Sequence, residues 1–369
     1  MFSIALKNLF QDKGRAAISI GGVAFSVLLI FILQGLYWGW HEKINIYTNS
    51  VDTDLWVVQE GFKDTFHTAS FLPKAYKDKL EKIADVKEVN SLLNFRVALT
   101  VKGKENYNIL IGFDAKNGIG GPAKIIKGNK EPKKEEIIID TVFAKKNNLE
   151  LGDKIKVYDK DLKISGISSG GDVIMAQYSF LNLEQADDFS PQKDFVNFYL
   201  VKLEDQSKKD EVIKKIKDAL PNVNVLDREK FGENNRKLIL ESFIPILWVL
   251  VIIGFIIGVA VIGLTIYTAT IEKTREYGIL KAIGATNLQL YFVVIIQALI
   301  SAIFGYILGI VFSYLVSYLA NYFEPIFVTN FREIDFVYVF AATILMSFFA
   351  AFIPIKKISA IDPAIVFKG

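Results

Sequence analysis

The sequence contains no cysteine, and its only histidines among 369 residues are His41 and His67. The absence of cysteine excludes disulfide bonds, thiolate catalysis and zinc–thiolate sites. The two histidines are too far apart for an H-E-x-x-H metal site. The chain also lacks a G-x-x-x-x-G-K-[ST] loop, and Gly118-Ile-Gly-Gly121 has no strand–turn–helix context for a dinucleotide. We therefore predict that this polypeptide is not itself an enzyme and holds no metal or cofactor of its own.

Charge is also absent from four long apolar stretches, although the chain carries 43 basic and 40 acidic residues. Each stretch is long enough to cross a hydrocarbon layer of about 30 Å as a helix. The net charge is only +3, and the lysines and arginines are not clustered into a face that could bind nucleic acid. The fold class that we predict is a membrane α-helical protein with four transmembrane helices, at residues 16–40, 238–271, 287–323 and 336–355.

The other segments follow from these spans. We predict an amphipathic interfacial helix at 1–15, an extracytoplasmic domain at 41–237, a coupling helix at 272–286, a short outer loop at 324–335 and a cytoplasmic tail at 356–369. A cleaved signal peptide is the competing reading of the first span. We favour an anchor because the apolar run from Ala16 to Trp40 is too long for a signal and no A-x-A-like site follows it.

The basic residues of the short loops indicate the orientation of the spans. Lysines and arginines precede the first span, join the second to the third and follow the fourth, as Lys13, Arg15, Lys273, Arg275, Lys356 and Lys368 show. Because basic short loops remain in the cytoplasm, we expect both termini there. The protein is thus expected in the cytoplasmic (inner) membrane, with its large domain periplasmic or extracellular.

Two pairs of glycines recur at a spacing of four residues within the spans. Gly254 and Gly258 lie in the second span, and Gly305 and Gly309 lie in the third. Such pairs permit close helix packing or dimerisation, although glycine is also simply frequent in membrane helices. The charge-free runs within the spans, the second of which begins at Ser242, contain no Asp, Glu, Lys, Arg or His that an ion pathway would require, so a channel for ions is not expected.

The region between the first two spans predicts an α+β domain. Residues 54–60, 86–101, 195–203 and 223–226 have strand patterns, and 73–84 and 207–220 have helix patterns, giving two β-α-β units. Between them, strands at 107–113, 136–139, 154–158 and 162–167 and a short helix at 141–147 predict an inserted β-rich subdomain.

No catalytic set emerges in this domain. Asp187 and Asp188 are adjacent on a predicted helix, point apart and are better explained as a solvated face. A group of phenylalanines could contact a lipidic cargo, but isolated aromatic residues more often belong to a core, and we expect that here for Phe62, Phe66, Phe71 and Phe113.

The segment from Glu272 to Thr286, E-K-T-R-E-Y-G-I-L-K-A-I-G-A-T, is the most specific stretch of the chain. The apolar residues around its glycines are unusual for a plain polar turn and favour a short docking helix. The segment resembles the E-x-x-x-E-[IY]-G-[IV]-L-[KR]-A-[IL]-G-A signature of the FtsX/MacB family of ABC transporter permeases. The tail from Pro354 to Phe367 is similar to that family's closing segment, through Pro354, Ile358, Asp362, Pro363 and Ala364.

The resemblance covers the whole chain and implies a MacB periplasmic core-like outer domain. It implies that the signature residues couple the permease to a separate ABC ATPase subunit, which holds ATP and Mg²⁺. The residues carried over in that role are Glu272, Arg275, Glu276, Gly278, Ile279, Leu280, Lys281, Ala282, Gly284 and Ala285. A second permease copy is also implied, as the partner in a homodimer whose helix packing could use the glycine pairs.

Within the family, Gln34-Gly-Leu-Tyr, Asp54-Leu-Trp-Val-Val and the lack of a fused ATPase domain look most similar to DevC-like permeases. That likeness implies export of a lipidic or small-molecule substrate by mechanotransmission through a membrane-fusion adaptor and an outer-membrane exit duct. Two alternatives remain open: a lipoprotein-releasing permease and an FtsX-like regulator of a cell-wall hydrolase.

Overall fold

The computed structural model describes residues 2–65, 67–173, 176–324 and 326–360. Phe66 and the tail residues Asp362, Pro363 and Ala364, for which expectations were stated above, lie outside the described residues. The chain divides into two compact units, which are described separately. The membrane unit comprises residues 1–39, 243–323 and 327–369, and the extracytoplasmic unit comprises residues 40–242 and 324–326.

Six helices build the membrane unit or pass through it: α1 (Phe2–Gln11), α2 (Lys13–Lys43), α8 (Arg228–Glu272), α9 (Thr274–Ala282), α10 (Asn287–Phe323) and α11 (Glu333–Ser359). Four of them, α2, α8, α10 and α11, are long and apolar enough to cross a membrane. The ends of α10 are those predicted. The other three extend beyond the predicted spans, because a charge-free run locates the lipid-exposed part of a helix, whereas backbone hydrogen bonding continues into water.

The two predicted glycine pairs of the membrane unit lie where helices of this chain meet. A Cβ on Gly305 would lie 2.4 Å from Val23 Cβ, and one on Gly309 would lie 2.6 Å from Val27 Cβ. On α8, a Cβ on Gly254 would come within 3.2 Å of Leu29, and one on Gly258 within 2.8 Å of Met346 Sδ. All four glycines therefore serve packing inside one chain, and all four meet α2, since the Cβ on Gly258 would also lie 3.0 Å from Ser26 Oγ.

A third close approach was not anticipated from the sequence. Gly35 and Gly39 of α2 lie against the extended segment that precedes α11: Asn330 N donates to Gly35 O at 2.9 Å, and a Cβ on Gly39 would lie 2.3 Å from Val328 O. The spacing of four residues was present in the sequence, but its partner is a loop. Two glycines four residues apart usually indicate close packing of one helix on another. Within the described chain, no second helix packs against these two glycines.

The described part of the extracytoplasmic unit contains a sheet of eleven strands and a separate pair of two short strands. The strands are β1 (Leu55–Gln59), β2 (Leu72–Pro73), β3 (Val86–Val101), β4 (Lys104–Phe113), β5 (Lys124–Gly128), β6 (Glu136–Asp140), β7 (Lys154–Val157), β8 (Lys160–Ser169), β9 (Asp172–Val173), β10 (Ala176–Asn182), β11 (Phe195–Val196), β12 (Phe198–Leu203) and β13 (Val223–Asp227). The main path runs β13-β1-β12-β3-β4-β10-β6-β8-β5.

The helices of this unit are α3 (Ile46–Ser50), α4 (Tyr76–Leu80), α5 (Thr141–Asn147), α6 (Leu183–Phe189) and α7 (Lys209–Ala219), with a 3₁₀ turn at Gln206–Lys208. The order β13-β1-β12-β3 interleaves the two predicted β-α-β units in a split arrangement. The prediction of a helix from Pro73 to Ala84 was largely wrong. Leu72–Pro73 pairs with β11 as a strand, and only Tyr76–Leu80 is α-helical.

The predicted inserted subdomain is not a separate sheet. The 16-residue strand β3 pairs through its first half with β12 and through its second half with β4 and β7, so one sheet continues through both parts. Strands β5, β9 and β10 were not predicted, whereas the helix on which Asp187 and Asp188 were expected to lie is α6. Strand β10 lies parallel to β4 and antiparallel to β6 in the middle of the sheet, with Tyr178 and Phe180 buried.

Apolar residues cover both faces of the sheet. Strand β1 shows this directly, since Leu55 and Val57 belong to one core cluster and Trp56 and Val58 to the other. The second cluster also receives Tyr47 from α3 and Phe231 from α8, and the Phe231 ring stacks on Trp56 at 4.2 Å between centroids. The parts of α3 and α8 within this unit therefore help to form its core.

Candidate functional site

The predicted coupling segment forms helix α9 and its two flanking turns. Glu272, which was assigned to the docking helix, is instead the last residue of α8, and α9 begins at Thr274. The two helices are thus separated at Lys273, whose backbone departs from helical geometry. The helix ends at Ala282, and Gly284 follows with φ of +101°, a conformation that glycine adopts without steric cost.

One side of α9 is buried in the membrane unit. Tyr277 and Gly278 are buried, and Leu280 and Ala285 pack partly against the same apolar cluster as α2, α10 and α11. The matched family residues therefore divide into two groups. Gly278, Leu280 and Ala285 face the rest of the unit, which explains their small or apolar character.

Polar contacts hold α9 in place from three directions. Arg15 of α2 donates to Glu272 at 2.5 Å, and Lys273 Nζ donates to Asn8 Oδ1 and Gln11 Oε1 of α1, each at 2.6 Å. Lys281 Nζ donates to the carbonyl of Ile358 at 2.9 Å near the end of α11. A lysine at this position compensates unpaired carbonyls at a helix C-terminus. The segment is thus attached to α1, α2 and α11 together.

The opposite side of α9 is exposed. Arg275, Ile279, Ala282 and Ile283 recur at helical spacing and form one face, which we call the docking face, with Glu276 beside it. Ile283 is 75% exposed and Ile279 is 43% exposed, and Leu288 in the first turn of α10 is 63% exposed. Exposed isoleucine and leucine between an arginine and a glutamate are typical of a surface that binds another protein.

The docking face lies where water is expected, because lysines and arginines flank it on α1, α2 and α11. Lipid contact therefore does not account for its apolar residues. The sequence identified these residues, but it did not distinguish the buried group from the exposed one. The signal for that division was the spacing of four residues that joins Arg275, Ile279 and Ile283 on a side of the helix that excludes Tyr277 and Gly278.

The candidate catalytic pair in the extracytoplasmic unit has ordinary partners. Asp187 pairs with Lys74 at 2.7 Å and Asp188 lies 3.9 Å from Lys160, all at the surface. Of the phenylalanines assigned to the core, Phe62 and Phe113 are buried, whereas Phe71 is 38% exposed. Among the described residues no group of three or more His, Asp or Glu side chains is arranged to hold a metal ion.

Comparison with protein families gives two matches along the chain. Residues 16–219 match the MacB-like periplasmic core domain, and residues 248–363 match the FtsX-like permease C-terminal domain. The first match covers more than half of the chain and includes the whole sheet except β13. The second includes the α9 segment.

Curated relatives share similarity over most of their length. The chain is 24% identical over 339 residues to "Putative hemin transport system permease protein HrtB" of Staphylococcus haemolyticus, covering 90% of this chain and 91% of the relative. It is 21% identical over 374 residues to an uncharacterised ABC transporter permease of Mycobacterium tuberculosis, covering all of both.

Solved structures align with about half of the chain. The periplasmic region of MacB from Actinobacillus actinomycetemcomitans aligns with a TM-score of 0.39 at 14% identity, covering 53% of this chain and 95% of that one. The extracellular domain of the transporter YknZ from Gram-positive bacteria aligns with a TM-score of 0.37 at 11% identity, covering 47% and 100% respectively.

Proposed function

Because the chain belongs to the FtsX/MacB-like family of ABC transporter permeases, we propose that it transmits ATP-driven movement of a partner ATPase to its extracytoplasmic unit. It is a multi-pass membrane protein with an extracytoplasmic domain, and the family implies a separate ATPase subunit. The observation that carries the proposal is the docking face of α9, which is exposed on one side and attached to three other helices on the other.

In this proposal the ATPase contacts Arg275, Ile279, Ala282 and Ile283. A displacement of α9 would reach α1 through Lys273, which directly precedes α9, and α2 through Glu272 at the end of α8, which pairs with Arg15. Helices α2 and α8 are continuous from the membrane unit into the extracytoplasmic unit, at Lys13–Lys43 and Arg228–Glu272. A rigid helix transmits an axial or tilting movement along its length, so these two are the proposed mechanical links.

The orientation of the termini, the second copy of the chain and the DevC-like placement are further parts of the proposal, each with its own support. Both termini are proposed to be cytoplasmic from the loop charges, and a second copy of this chain is proposed to complete the transporter. Gly254, Gly258, Gly305 and Gly309 already pack within the chain, so their contacts provide no support for placing the dimer interface there. The DevC-like placement rests on sequence residues alone, and none of the relatives described above carries that name.

The substrate class that we propose is a lipidic or amphipathic small molecule that leaves the cell, with hemin the specific candidate from the name of the HrtB relatives. No ionisable side chain of a membrane-spanning run offers an ion pathway, which agrees with work performed outside the lipid core. A membrane-fusion adaptor and an exit duct are proposed as outer partners. Capture of a lipoprotein or of a cell-wall hydrolase instead would identify the lipoprotein-releasing or the FtsX-like alternative.

The test uses the complex of this permease with its ATPase in nanodiscs. Ile283→Asp and Ile279→Asp place a charge on the docking face, and we expect ATPase stimulation by the permease to fall at least about tenfold, as hot-spot losses at interfaces do. The matched control is Ile126→Asp on β5, since Ile126 is 47% exposed but lies in the extracytoplasmic unit. Unchanged stimulation in both α9 variants, with intact complex formation, would refute the proposal.

A further inference from the structure

The first helix of the membrane unit, α1, has a surface that the coupling mechanism does not use. Ala5 and Leu9 are buried, at 0% and 8% exposure, and Leu9 packs against α10. Leu6 and Phe10, four residues apart, are 40% and 41% exposed on the adjoining side of the helix. Helix α1 therefore carries apolar side chains both toward the protein and away from it.

Phe10 lies at the lipid boundary of the membrane unit. Its ring packs edge-on against Phe304 of α10, with 6.1 Å between the ring centroids. Phe304 is 48% exposed and neighbours Gly305, whose added Cβ would lie 3.0 Å from Ile20 O. Ile20 comes one helical turn after Ala16, where the charge-free run of α2 begins. The exposed side of α1 is thus level with the first lipid-facing turns of α2, where the hydrocarbon layer begins.

Two lysines border this apolar side. Lys7 lies on α1 and Lys13 begins α2; both are exposed, and neither forms an ion pair with another residue that the structure describes. Asp12 is the only acidic residue before Glu42, and its carboxylate pairs with Arg15 at 2.7 Å. The junction of α1 and α2 therefore presents two positive charges that its own acidic residue does not compensate.

The side of α1 beyond Lys7 is attached to the coupling segment. Asn8 Oδ1 and Gln11 Oε1 accept hydrogen bonds from Lys273 Nζ, each at 2.6 Å, and Lys273 directly precedes α9. At 3.6 residues per turn, Lys7 lies between Phe10 and Gln11 around the helix. The same short helix thus has one side toward lipid and another bonded to the residue before α9.

The combination fits one kind of partner. Exposed apolar residues at the depth where hydrocarbon begins, bordered by lysines, are typical of helices that lie in the membrane interface and are attracted to anionic lipids. A zwitterionic lipid would accept Leu6 and Phe10 but would leave Lys7 and Lys13 without a counter-charge. An acidic soluble protein would pair with the lysines but would not account for Phe10 at a lipid-facing level of the spans.

We propose that α1 binds anionic phospholipid, with Leu6 and Phe10 in the acyl region and Lys7 and Lys13 beside the headgroups. Through Lys273, this contact holds α9 in its coupling position. Each lysine near an anionic surface strengthens binding about fivefold, so the two together should contribute about 25-fold. Lipid binding goes beyond the proposed function, whereas its effect on α9 rests on that function.

The direct test uses the full-length protein in nanodiscs. Because the chain has no cysteine, Ser3→Cys gives a single thiol on the exposed side of α1 for an environment-sensitive fluorophore. Quenching titrations with brominated phosphatidylglycerol and brominated phosphatidylcholine give the ratio of the two association constants. We expect that ratio to favour the anionic lipid and to fall about fivefold in Lys7→Gln and in Lys13→Gln, and further in the double variant.

The matched control is Lys356→Gln/Lys357→Gln, which removes the same charge from exposed residues near the end of α11 and should leave the ratio unchanged. Equal quenching by the two lipids in the labelled parent protein would overturn the proposal. An unchanged ratio in Lys7→Gln/Lys13→Gln would also overturn it.

The link to α9 is measured as ATPase stimulation in the permease–ATPase complex, in nanodiscs with and without phosphatidylglycerol. We expect the anionic lipid to raise stimulation in wild type but not in Lys7→Gln/Lys13→Gln. Stimulation that the lipid does not change in wild type would refute the link. A loss in the double variant that is equally large without anionic lipid would assign the lysines to the ATPase and overturn the lipid proposal.

The two proposals fail separately. Ile283→Asp tests the docking face on the same complex. If Ile283→Asp abolishes stimulation while α1 shows no preference for anionic lipid, this inference is refuted and the proposed coupling function survives.

Discussion

The extracytoplasmic unit and the membrane unit differ in the size of the side chains that they bury. Of the twelve largest fully buried side chains among the described residues, eleven belong to the extracytoplasmic unit, and only Phe31 belongs to the membrane unit. In the membrane unit, glycine, alanine and serine share the buried positions with medium-sized aliphatic residues, as Gly305, Ala298 and Ser301 do with Val294 on α10. Large apolar residues such as Trp248 and Phe352 are more than 60% exposed there.

The physical reason is the difference in solvent. Water drives large apolar surfaces inward in the extracytoplasmic unit, at about 25 cal/mol for each Å² removed from water. Lipid provides no such force between helices, so the helices associate through close contact of small residues. A cavity should therefore lower stability most in the extracytoplasmic unit. An added methyl group should lower stability most in the membrane unit. The predictions below test that difference, from the largest expected effect to the smallest.

Trp56→Ala should have the largest effect on stability. Trp56 is 1% exposed, stacks on Phe231 and lies edge-on to Phe198, so its removal leaves a large cavity on one face of the sheet. We expect a loss of about 3–5 kcal/mol in the free energy of unfolding. Denaturant unfolding of the full-length protein, followed by limited proteolysis of the extracytoplasmic unit, measures it. Tyr107→Ala, at a site 73% exposed, should cost far less.

Because of Asp140, the stability of the extracytoplasmic unit should depend on pH. A contact embedded in the membrane cannot give such a dependence. Burial raises the pKa of Asp140 from 3.8 to about 6, although Val142 N and Gly171 N donate to its carboxylate at 2.8 and 3.0 Å. Asp172, which pairs with Lys43, adds a repelling charge nearby. The native state therefore holds this proton more tightly than the unfolded state does.

This contribution to stability is complete below about pH 4 and is lost as the pH rises through about 6, a difference on the order of 2–3 kcal/mol. The measurement is the stability of wild type minus that of Asp140→Asn across this range, since asparagine does not titrate. The difference should change with pH between 4 and 6, whereas Asp159→Asn, at an exposed site, should produce no such slope. A flat difference for Asp140→Asn would contradict the prediction.

Gly309→Val tests the opposite packing rule in the membrane unit. A Cβ at this position would lie 2.6 Å from two atoms of Val27 and 2.8 Å from Ala24 O, so α10 and α2 would have to separate. We expect a loss of about 1–3 kcal/mol, as for other overpacked sites, seen as a lower midpoint of thermal unfolding in detergent. Gly21→Ala is the control because no atom lies within 4 Å of its added Cβ. Equal effects of the two substitutions would break the comparison.

The ion pair between Arg15 and Glu272 should contribute least. The two side chains are 26% and 62% exposed, and such exposed pairs contribute about 0.2–1 kcal/mol. A double-mutant cycle with Arg15→Gln and Glu272→Gln measures the coupling. We expect a small effect on stability but a measurable loss of ATPase stimulation in the permease–ATPase complex, because the pair joins α2 to the end of α8.

Much of this arrangement could be predicted from the sequence. The four apolar runs, the α9 signature and the strand patterns of β1, β3, β6 and β12 are local, since hydropathy and alternation are read within about twenty residues. Strand β10 was missed although Tyr178 and Phe180 alternate with Gln177 and Ser179, and its pairing with β4 and β6 depends on residues about 40 to 70 positions away. Helix α4 was overestimated because Leu72–Pro73 pairs with β11, more than 120 residues later.

The sequence by itself thus determined which segments enter lipid, which lie in water and which residues carry the family signature, because these properties follow from solvent transfer and local spacing. Only the tertiary structure decided that the glycine pairs pack within one chain, that α9 has a buried and an exposed face, and that α1 contacts both Phe304 and Lys273. Those outcomes depend on contacts between distant residues, for which spacing along the chain contains no information.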